Sequence, residues 1–318
     1  MCIARCSVKL SFPGLPVRLL GLGLFLLFGL STSAQQRMDE LPEAMESFEQ
    51  TIPGTTISFT MIPIPGGVVD VEREVAAPEE GGEATKEIVE VEVAPFYMLS
   101  TEVTWDLYDV LVFRFDLPEP DRRGKADPDG ISRPTNPYIA TDRGYGHNGW
   151  PAISISHQGA LSLCEWLTVK TGKRFRLPTE DEWEHAARAG TPRSAGRWWF
   201  GDDQEEFKQQ GWFRLNSNLK THAVGTLPAN PLGLFDIYGN SSEWCTTTAG
   251  GYVMRGGSFQ DRSKKANSFY RSIPHKGWNA TDPQLPKSPW WLADGPFAGF
   301  RVICEADNGK PALSKSTK

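Results

Sequence analysis

The chain has 318 residues, of which 39% are hydrophobic and 23% charged, and its formal net charge is −6. These proportions are typical of a globular protein and exclude a largely disordered chain. The acidic balance disfavours nucleic acid and anionic membrane surfaces as partners. Gly and Pro number 31 and 24, which predicts many turns and short elements.

The first 34 residues have the three-part layout of a secretory signal. Basic residues Arg5, Lys9 and Arg18 precede an apolar run over residues 19–30, and small residues follow at 31–34. The run is short for a bilayer-spanning helix. We therefore expect an exported protein, periplasmic or extracellular, without membrane insertion after cleavage; an uncleaved anchor is the alternative. Cleavage would remove three basic residues and no acidic one, which moves the charge from −6 to −9.

Residues 35–51 are polar and acidic, and we expect them to form a flexible lead-in. A strand is predicted over Ile57–Ile64, where apolar and polar residues alternate before Pro65-Gly66-Gly67. In residues 70–92, Val alternates with Glu, which favours an edge-like strand with one solvated face.

The first helix is predicted to begin after Thr104, a suitable N-cap. Its apolar face would be formed by Tyr108, Leu111, Val112 and Phe115. Residues 117–150, rich in Pro, Gly and Asp, predict a long loop. Loops of this length inside a domain are usually functional or packed by their own side chains.

Two further helices are indicated by their termini. Ser156 caps the second, which ends at Gly172. Thr179 opens the third with Glu182 three residues later, a capping box, and Gly190 closes it. After residue 190 we predict only short strands and turns. The fold class is therefore α+β, with two or three helices packed on an irregular sheet.

Five segments carry a resemblance to a known family. They are TEVTW from Thr101, RLPTEDEWEHAAR from Arg176, NPLGLFDIYGNSSEW from Asn230, MRGGSF from Met254 and GFR from Gly299. In order and spacing the chain resembles the formylglycine-generating enzymes, or sulfatase-modifying factors, across residues 52–306. The resemblance implies a single loop-rich domain of C-type-lectin-like fold with little regular secondary structure, followed by a polar tail over 307–318.

The resemblance implies chemistry that this chain is not equipped to perform. Active members use copper and oxygen to oxidise a sulfatase cysteine to formylglycine, through two cysteines just beyond the Gly-Gly-Ser turn. A pair of soft thiolates suits copper(I). Here Asp261 and Ala266 occupy those positions, and no cysteine lies between Cys245 and Cys304. We therefore expect the fold without the catalytic pair and without copper.

A calcium ion is implied in the turn before residue 244. The resemblance assigns it to Asp236, the carbonyls of Gly239 and Ser241, and Glu243. Several oxygen donors around a Gly-containing turn suit a hard cation. The alternative is a hydrogen-bonded turn without a metal.

Relatives also link a cysteine on the second helix to one beside the Gly-Phe-Arg motif. Cys164 and Cys304 are the corresponding pair, although Cys304 is displaced by two positions, which keeps the same strand face. Two buried thiols are the alternative. Cys245 would be the odd thiol, and a packed, inert cysteine is the expected reading.

The family's substrate groove surrounds the altered catalytic position. Aromatic and polar side chains there suit an extended peptide or a sugar, although they could equally serve to pack the loops. The candidates are Ser258, Asp261, Arg262, Trp290, Trp291 and Asp294, with Tyr145, His147 and Trp150 from the long loop.

Three functions stay open at this point. The first is a binding or accessory module that acts on an exported protein or peptide. The second is an enzyme that modifies exported proteins, for example by oxidising a sulfatase cysteine to formylglycine through other ligands. The third is a lectin-like binder of carbohydrate. A fold alone does not decide between them.

Overall fold

The structure, a computed structural model, describes residues 37–41, 45–75, 85–122, 140–279 and 290–306. These residues belong to one compact unit, residues 34–318. The predicted leader and the polar tail over 307–318 lie outside the described residues. In the described part of the chain, no helix has the length and apolarity needed to cross a bilayer.

Short strands and a few helices make up the regular structure. The strands are β1 (Arg37–Met38), β2 (Phe48–Thr51), β3 (Ser58–Ile64), β4 (Gly67–Val75), β5 (Thr85–Val93), β6 (Phe96–Leu99), β7 (Phe175–Arg176), β8 (Ser242–Thr246), β9 (Tyr252–Arg255), β10 (Ala298–Gly299) and β11 (Ile303–Glu305). The helices are α1 (Trp105–Phe113), α2 (Glu119–Arg122), α3 (His157–Thr171), α4 (Glu180–Arg188) and α5 (Gln204–Gln210), with 3-10 turns at Arg193–Ala195 and Lys276–Asn279. The α+β class is confirmed.

The described strands form three sheets. The largest has the order β2-β3-β6-β11-β7, in which the late strand β11 lies between β6 and β7. A second sheet has the order β1-β4-β5, and a third the order β10-β8-β9. In the third sheet Gly299 pairs with Glu243, which brings the Gly-Phe-Arg motif beside the end of the predicted calcium turn.

The N-terminal segment is more ordered than the sequence suggested. In the described part of the lead-in, β1 pairs with β4 and β2 pairs with β3. The ring of Phe48 packs edge-on against Tyr97, with 4.9 Å between centroids, and this apolar contact fixes the segment on the sheet. Residues 70–92 contribute two strands rather than one, and β5 lies at the edge as expected.

All three predicted helix starts are confirmed. Thr104 and Ser156 accept hydrogen bonds from the amides of Leu107 (3.4 Å) and Gly159 (3.0 Å). The predicted capping box is present, since the amide of Glu182 donates to Thr179 Oγ1 and the Glu182 carboxylate accepts from the Thr179 amide. These caps satisfy amides that have no partner inside a helix.

Three details differ from the predictions. Helix α1 ends at Phe113 because Arg114 is left-handed (φ 58°), so Phe115 is exposed rather than on the apolar face. Helix α4 ends with Ala189, rather than Gly190, as its left-handed cap. Helix α5 was not predicted, because its polar sequence QEEFKQQ contains a single large apolar residue; that residue, Phe207, is fully buried.

Candidate functional site

The turn that follows β9 contains both positions of the absent cysteine pair. The amide and the hydroxyl of Ser258 donate to Asp261 Oδ2 over 3.1 and 2.7 Å, and the amide of Asp261 donates back to the Ser258 carbonyl over 3.0 Å. Ser258 is fully buried. The carboxylate of Asp261 therefore closes its own turn, a local role common for Asp.

Ala266 is fully buried in the core, and its carbonyl accepts a hydrogen bond of 2.7 Å from the indole of Trp198. Gly257 is left-handed (φ 68°), and a Cβ at this position would lie only 2.6 Å from the Cα of Ala266. The backbone is thus closely packed on both sides of the turn, and the side chain at 266 is a methyl group.

These residues do not fit copper(I). A carboxylate held by a serine and a methyl group offer no soft ligand in place of two thiolates. The described cysteines are all buried, and burial raises the pKa of the Cys164 and Cys245 thiols, which disfavours the thiolate form.

The predicted groove residues are distributed over three places. Tyr145 packs edge-on against Phe259 at 5.5 Å, so it lies beside the Ser258 turn, from which the exposed Arg262 projects. Trp150 donates its indole N–H to the Thr221 carbonyl over 3.3 Å and ties the long loop down. Two other groups of candidates line separate cavities.

The smaller cavity, of about 210 Å³, lies against α1 and contains His147 and Trp291. His147 Nε2 lies 2.7 Å from Asp109 Oδ2, its Nδ1 lies 3.3 Å from Asp142 Oδ2, and its ring stacks on Trp105 at 5.3 Å. Burial opposes the charge on His147, but the two carboxylates outweigh it and raise its pKa. This arrangement ties the long loop to α1.

The larger cavity, of about 720 Å³, contains one predicted residue, Trp290. Asp294 lies close by, since its amide donates to the Trp278 carbonyl over 2.9 Å. We refer to this cavity as the aromatic pocket, whose rings are those of His157, Trp244, Tyr252, His275, Trp278 and Trp290. No motif or spacing in the sequence points to the other five rings; the abundance of Trp, 11 residues, is the available signal.

A buried ion pair joins the Gly-Phe-Arg motif to the turn over residues 236–243, where calcium was predicted. Both nitrogens Nε and Nη2 of Arg301 donate to the Glu243 carboxylate over 2.9–3.2 Å. The guanidinium also donates to the carbonyls of Leu99 and Phe235, over 2.9 and 2.8 Å. Trp183 Nε1 donates to Glu243 Oε2 over 2.8 Å. Arg301 thus connects β6, β8 and the turn that begins near Phe235, which is a structural role.

Negative charge is in excess around this pair. Glu102 and Asp236 are buried beside Glu243, so three carboxylates face one guanidinium. Burial raises the pKa of Asp236 to about 6, and burial together with the neighbouring carboxylates raises that of Glu102 well above its usual range. Such a cluster is costly unless a cation or protons balance the charge.

The turn fits the cation that the resemblance implied. Asp236 Oδ2 accepts from the Gly225 amide over 2.6 Å, whereas its buried Oδ1 has no hydrogen-bond partner among the described residues. Gly239 (φ 86°) brings the backbone so close to the Trp212 carbonyl that a Cβ would collide with it. In the described residues no three acidic, His or Cys side chains form a metal cluster; the implied set needs only two carboxylates and two carbonyls.

The predicted disulfide is not formed in the structure. Cys164 and Cys304 belong to the same core cluster, and both are thiols. In register, Cys304 lies opposite Tyr97 and Phe175. Cys304 lies two positions away from the cysteine of the relatives, and two positions along a strand correspond to about 6.6 Å. A disulfide needs Cα atoms within about 7 Å of each other, so a shift of this size is enough to prevent the bond.

Comparison with known proteins agrees with this fold and these motifs. Residues 49–305 match the family described as the sulfatase-modifying factor enzyme 1-like domain. Over 110 residues the chain is 34% identical to the formylglycine-generating enzyme of Mycobacterium tuberculosis, covering 31% of this chain and 34% of that protein. Over 177 residues it is 32% identical to the inactive C-alpha-formylglycine-generating enzyme 2 of Mus musculus, covering 51% and 50%. The matched segments thus span half or less of each relative.

Solved structures show the same fold at lower identity. Treponema denticola variable protein 1 aligns with a TM-score of 0.53 and 21% identity, covering 82% of this chain and 99% of that one. PvdO of Pseudomonas aeruginosa aligns with a TM-score of 0.51 and 22% identity, covering 81% and 100%. Together with the family match over most of the chain, these likenesses lead to one conclusion: the chain belongs to the sulfatase-modifying factor, or formylglycine-generating enzyme-like, family.

Proposed function

We propose that this protein is an exported member of the family that lacks copper oxidase activity and acts as a binding or accessory module. The observation that carries the proposal is the turn after β9. The Asp261 carboxylate is held by Ser258, and the side chain of Ala266 is a buried methyl group. The relative from Mus musculus whose name describes it as inactive supports the same reading.

We infer export from the three-part leader, which has the layout of a secretory signal. An exported protein would meet its partners outside the cytoplasm. We expect the partner to be an exported protein or peptide, with sulfatases as one candidate class, or else a glycan. The acidic mature chain disfavours nucleic acid. Calcium, held by the turn that ends at Glu243, would stabilise the fold rather than take part in chemistry.

An enzymatic alternative would use Ser258 with Asp261, which lie within hydrogen-bond distance. Ser258 is fully buried, and its hydroxyl donates to the carboxylate in a local turn. In the described residues neither of these side chains hydrogen-bonds to a histidine that could serve as a general base. The pair therefore supports a structural role better than a nucleophilic one.

A copper(I) titration tests the proposal. The purified mature protein should bind no copper(I) in competition with a chromogenic copper(I) chelator. The double variant Asp261→Cys/Ala266→Cys is the matched control, because it replaces only the two side chains at issue. Tight binding of one equivalent of copper(I) by the unmodified protein, at the turn after β9, would overturn the proposal.

A further inference from the structure

The aromatic pocket is built from five separate parts of the chain, of which Trp290 has been described above. His157 begins α3, Trp244 lies on β8, Tyr252 begins β9, and Trp278 belongs to the turn Lys276–Asn279. The rings are in contact: His157 stacks on Tyr252 at 4.1 Å, and Trp244 meets Tyr252 and Trp278 edge-on at 5.6 and 5.8 Å. They form one continuous aromatic wall.

Contacts within the protein hold the aromatic wall in place. Trp244 is buried, and its indole N–H donates to the Ile155 carbonyl over 2.9 Å. The Trp278 ring also meets Phe297 edge-on at 5.2 Å. Tyr252 nevertheless leaves 45% of its surface exposed. Together with the other described lining residues, the rings border a cavity of about 720 Å³, a volume within the range of small-molecule sites.

The described residues that line the aromatic pocket include Lys276 and no carboxylate, and an acidic residue described above, Asp294, lies beside Trp278. Lys276 is exposed and makes no ion pair with a described residue. Burial lowers the pKa of His157 to about 4, so its ring is neutral at physiological pH and offers only an aromatic face. In a chain of net charge −6, a lysine at the pocket with no carboxylate among the described lining residues favours an anionic ligand.

The combination of aromatic faces with polar groups narrows the ligand class. A cage for a quaternary ammonium group attracts cations through its rings, and Lys276 would repel them. A lipid chain would leave Lys276 and Gln158 at the pocket without partners. A pyranose ring has C–H faces that stack on Trp and Tyr, and hydroxyl groups that can bond to the polar side chains.

We propose that the aromatic pocket binds an anionic saccharide, one that carries a carboxylate or sulfate group, through stacking on Tyr252 and Trp278 and pairing of the anion with Lys276. This inference rests on the proposed function, because it assigns a ligand class to the binding module. The pocket does not include the turn at Asp261. Saccharide binding and the absence of copper binding can therefore be tested independently of each other.

The test is isothermal titration of the mature protein with defined hexasaccharides. The probes are an oligogalacturonate, a chondroitin sulfate and the neutral cellohexaose. We expect one of the acidic probes to bind, and cellohexaose to bind at least tenfold more weakly. Trp278→Ala and Lys276→Gln should each weaken binding of the acidic probe at least tenfold. Tyr252→Ala, at a half-exposed position, should do the same while the protein keeps a cooperative melting transition.

Matched controls lie outside the pocket. Trp212→Ala removes a tryptophan that stacks on His222 elsewhere, and Lys264→Gln removes an exposed lysine; neither should alter saccharide affinity. Hexaglutamate supplies anionic charge without a sugar ring. The proposal is overturned if neither acidic saccharide binds, if hexaglutamate binds as tightly as the sugar, or if the pocket variants bind like the controls. Each of these outcomes leaves the copper(I) result unaffected.

Discussion

Arg301 illustrates how a charged residue inside a family motif can serve the fold. Its guanidinium is fully buried and bonds to Glu243 and to backbone carbonyls on two other segments. The sequence already favours a structural role for this arginine, because charged side chains inside the motifs of a loop-rich fold often join loops through buried pairs. The hydrogen bonds of Arg301 explain why arginine is needed there. Lysine offers no planar fork and could not make the same set of bonds.

We predict that Arg301→Ala lowers the free energy of unfolding by about 3–5 kcal/mol, because it leaves the Glu243 carboxylate buried without its cation. Urea denaturation followed by tryptophan fluorescence measures this. Arg262→Ala, at an exposed position, is the control and should change stability by less than about 0.5 kcal/mol. Equal effects of the two substitutions would contradict the structural role of Arg301.

The contacts of His147 predict a dependence of stability on pH. The carboxylates of Asp109 and Asp142 form hydrogen bonds with its two ring nitrogens. A third carboxylate, that of Asp106, lies close enough to Asp109 to interact with it electrostatically. The pKa of His147 is raised in the folded state. Its charged form therefore adds stability below the unfolded pKa of about 6.5, and this contribution is lost as the pH rises through the folded pKa.

The corresponding measurement compares melting temperatures of the unmodified protein and His147→Gln between pH 6 and pH 9. At pH 6 the unmodified protein should melt at a higher temperature than His147→Gln. This difference in melting temperature between the two proteins should shrink toward pH 9. His222→Gln controls for histidine loss elsewhere. A difference that stays constant with pH would mean that His147 is neutral in the folded protein.

Among the helices and strands, the sequence predicted those features that depend on interactions between residues close together in the chain. The caps at Thr104, Ser156 and Thr179 were predictable because a cap bonds to an amide only two or three residues away. Helix α5 was not predictable, because the burial of Phe207 depends on a ring contact with Phe213 and Trp198 at 4.3 and 4.6 Å, and on the rest of the core around them. The pairing of β1 with β4 likewise depends on a partner that is distant in the chain, whereas β2 pairs with the next strand, β3.

The turn that ends at β8 carries a prediction about calcium. If the ion binds Asp236, Glu243 and the two carbonyls, calcium should raise the melting temperature, with an increment that grows with its concentration. Asp236→Ala should abolish that increment because it removes the unpartnered Oδ1 oxygen. Scanning calorimetry with calcium, with magnesium and with a chelator measures this. Identical melting temperatures in all three conditions would show that the turn is stable without calcium.

For the whole molecule, the family and fold class were predictable because long motifs recur in order along the chain. The aromatic pocket was not predictable, because its rings come from residues 157, 244, 252, 275, 278 and 290, and no spacing rule connects them. The loss of the copper site was predictable only in part. The sequence gives the identities of Asp261 and Ala266, and the structure adds that the carboxylate is hydrogen-bonded and the methyl group buried.

The central claim is that this fold is retained without the oxidase chemistry of its active relatives. The most direct measurement is mass spectrometry of a sulfatase-type cysteine peptide after incubation with the mature protein, copper and oxygen, beside an active formylglycine-generating enzyme as positive control. We predict that the cysteine stays unmodified with this protein and is converted by the control. Conversion of the cysteine to formylglycine by this protein would contradict the account.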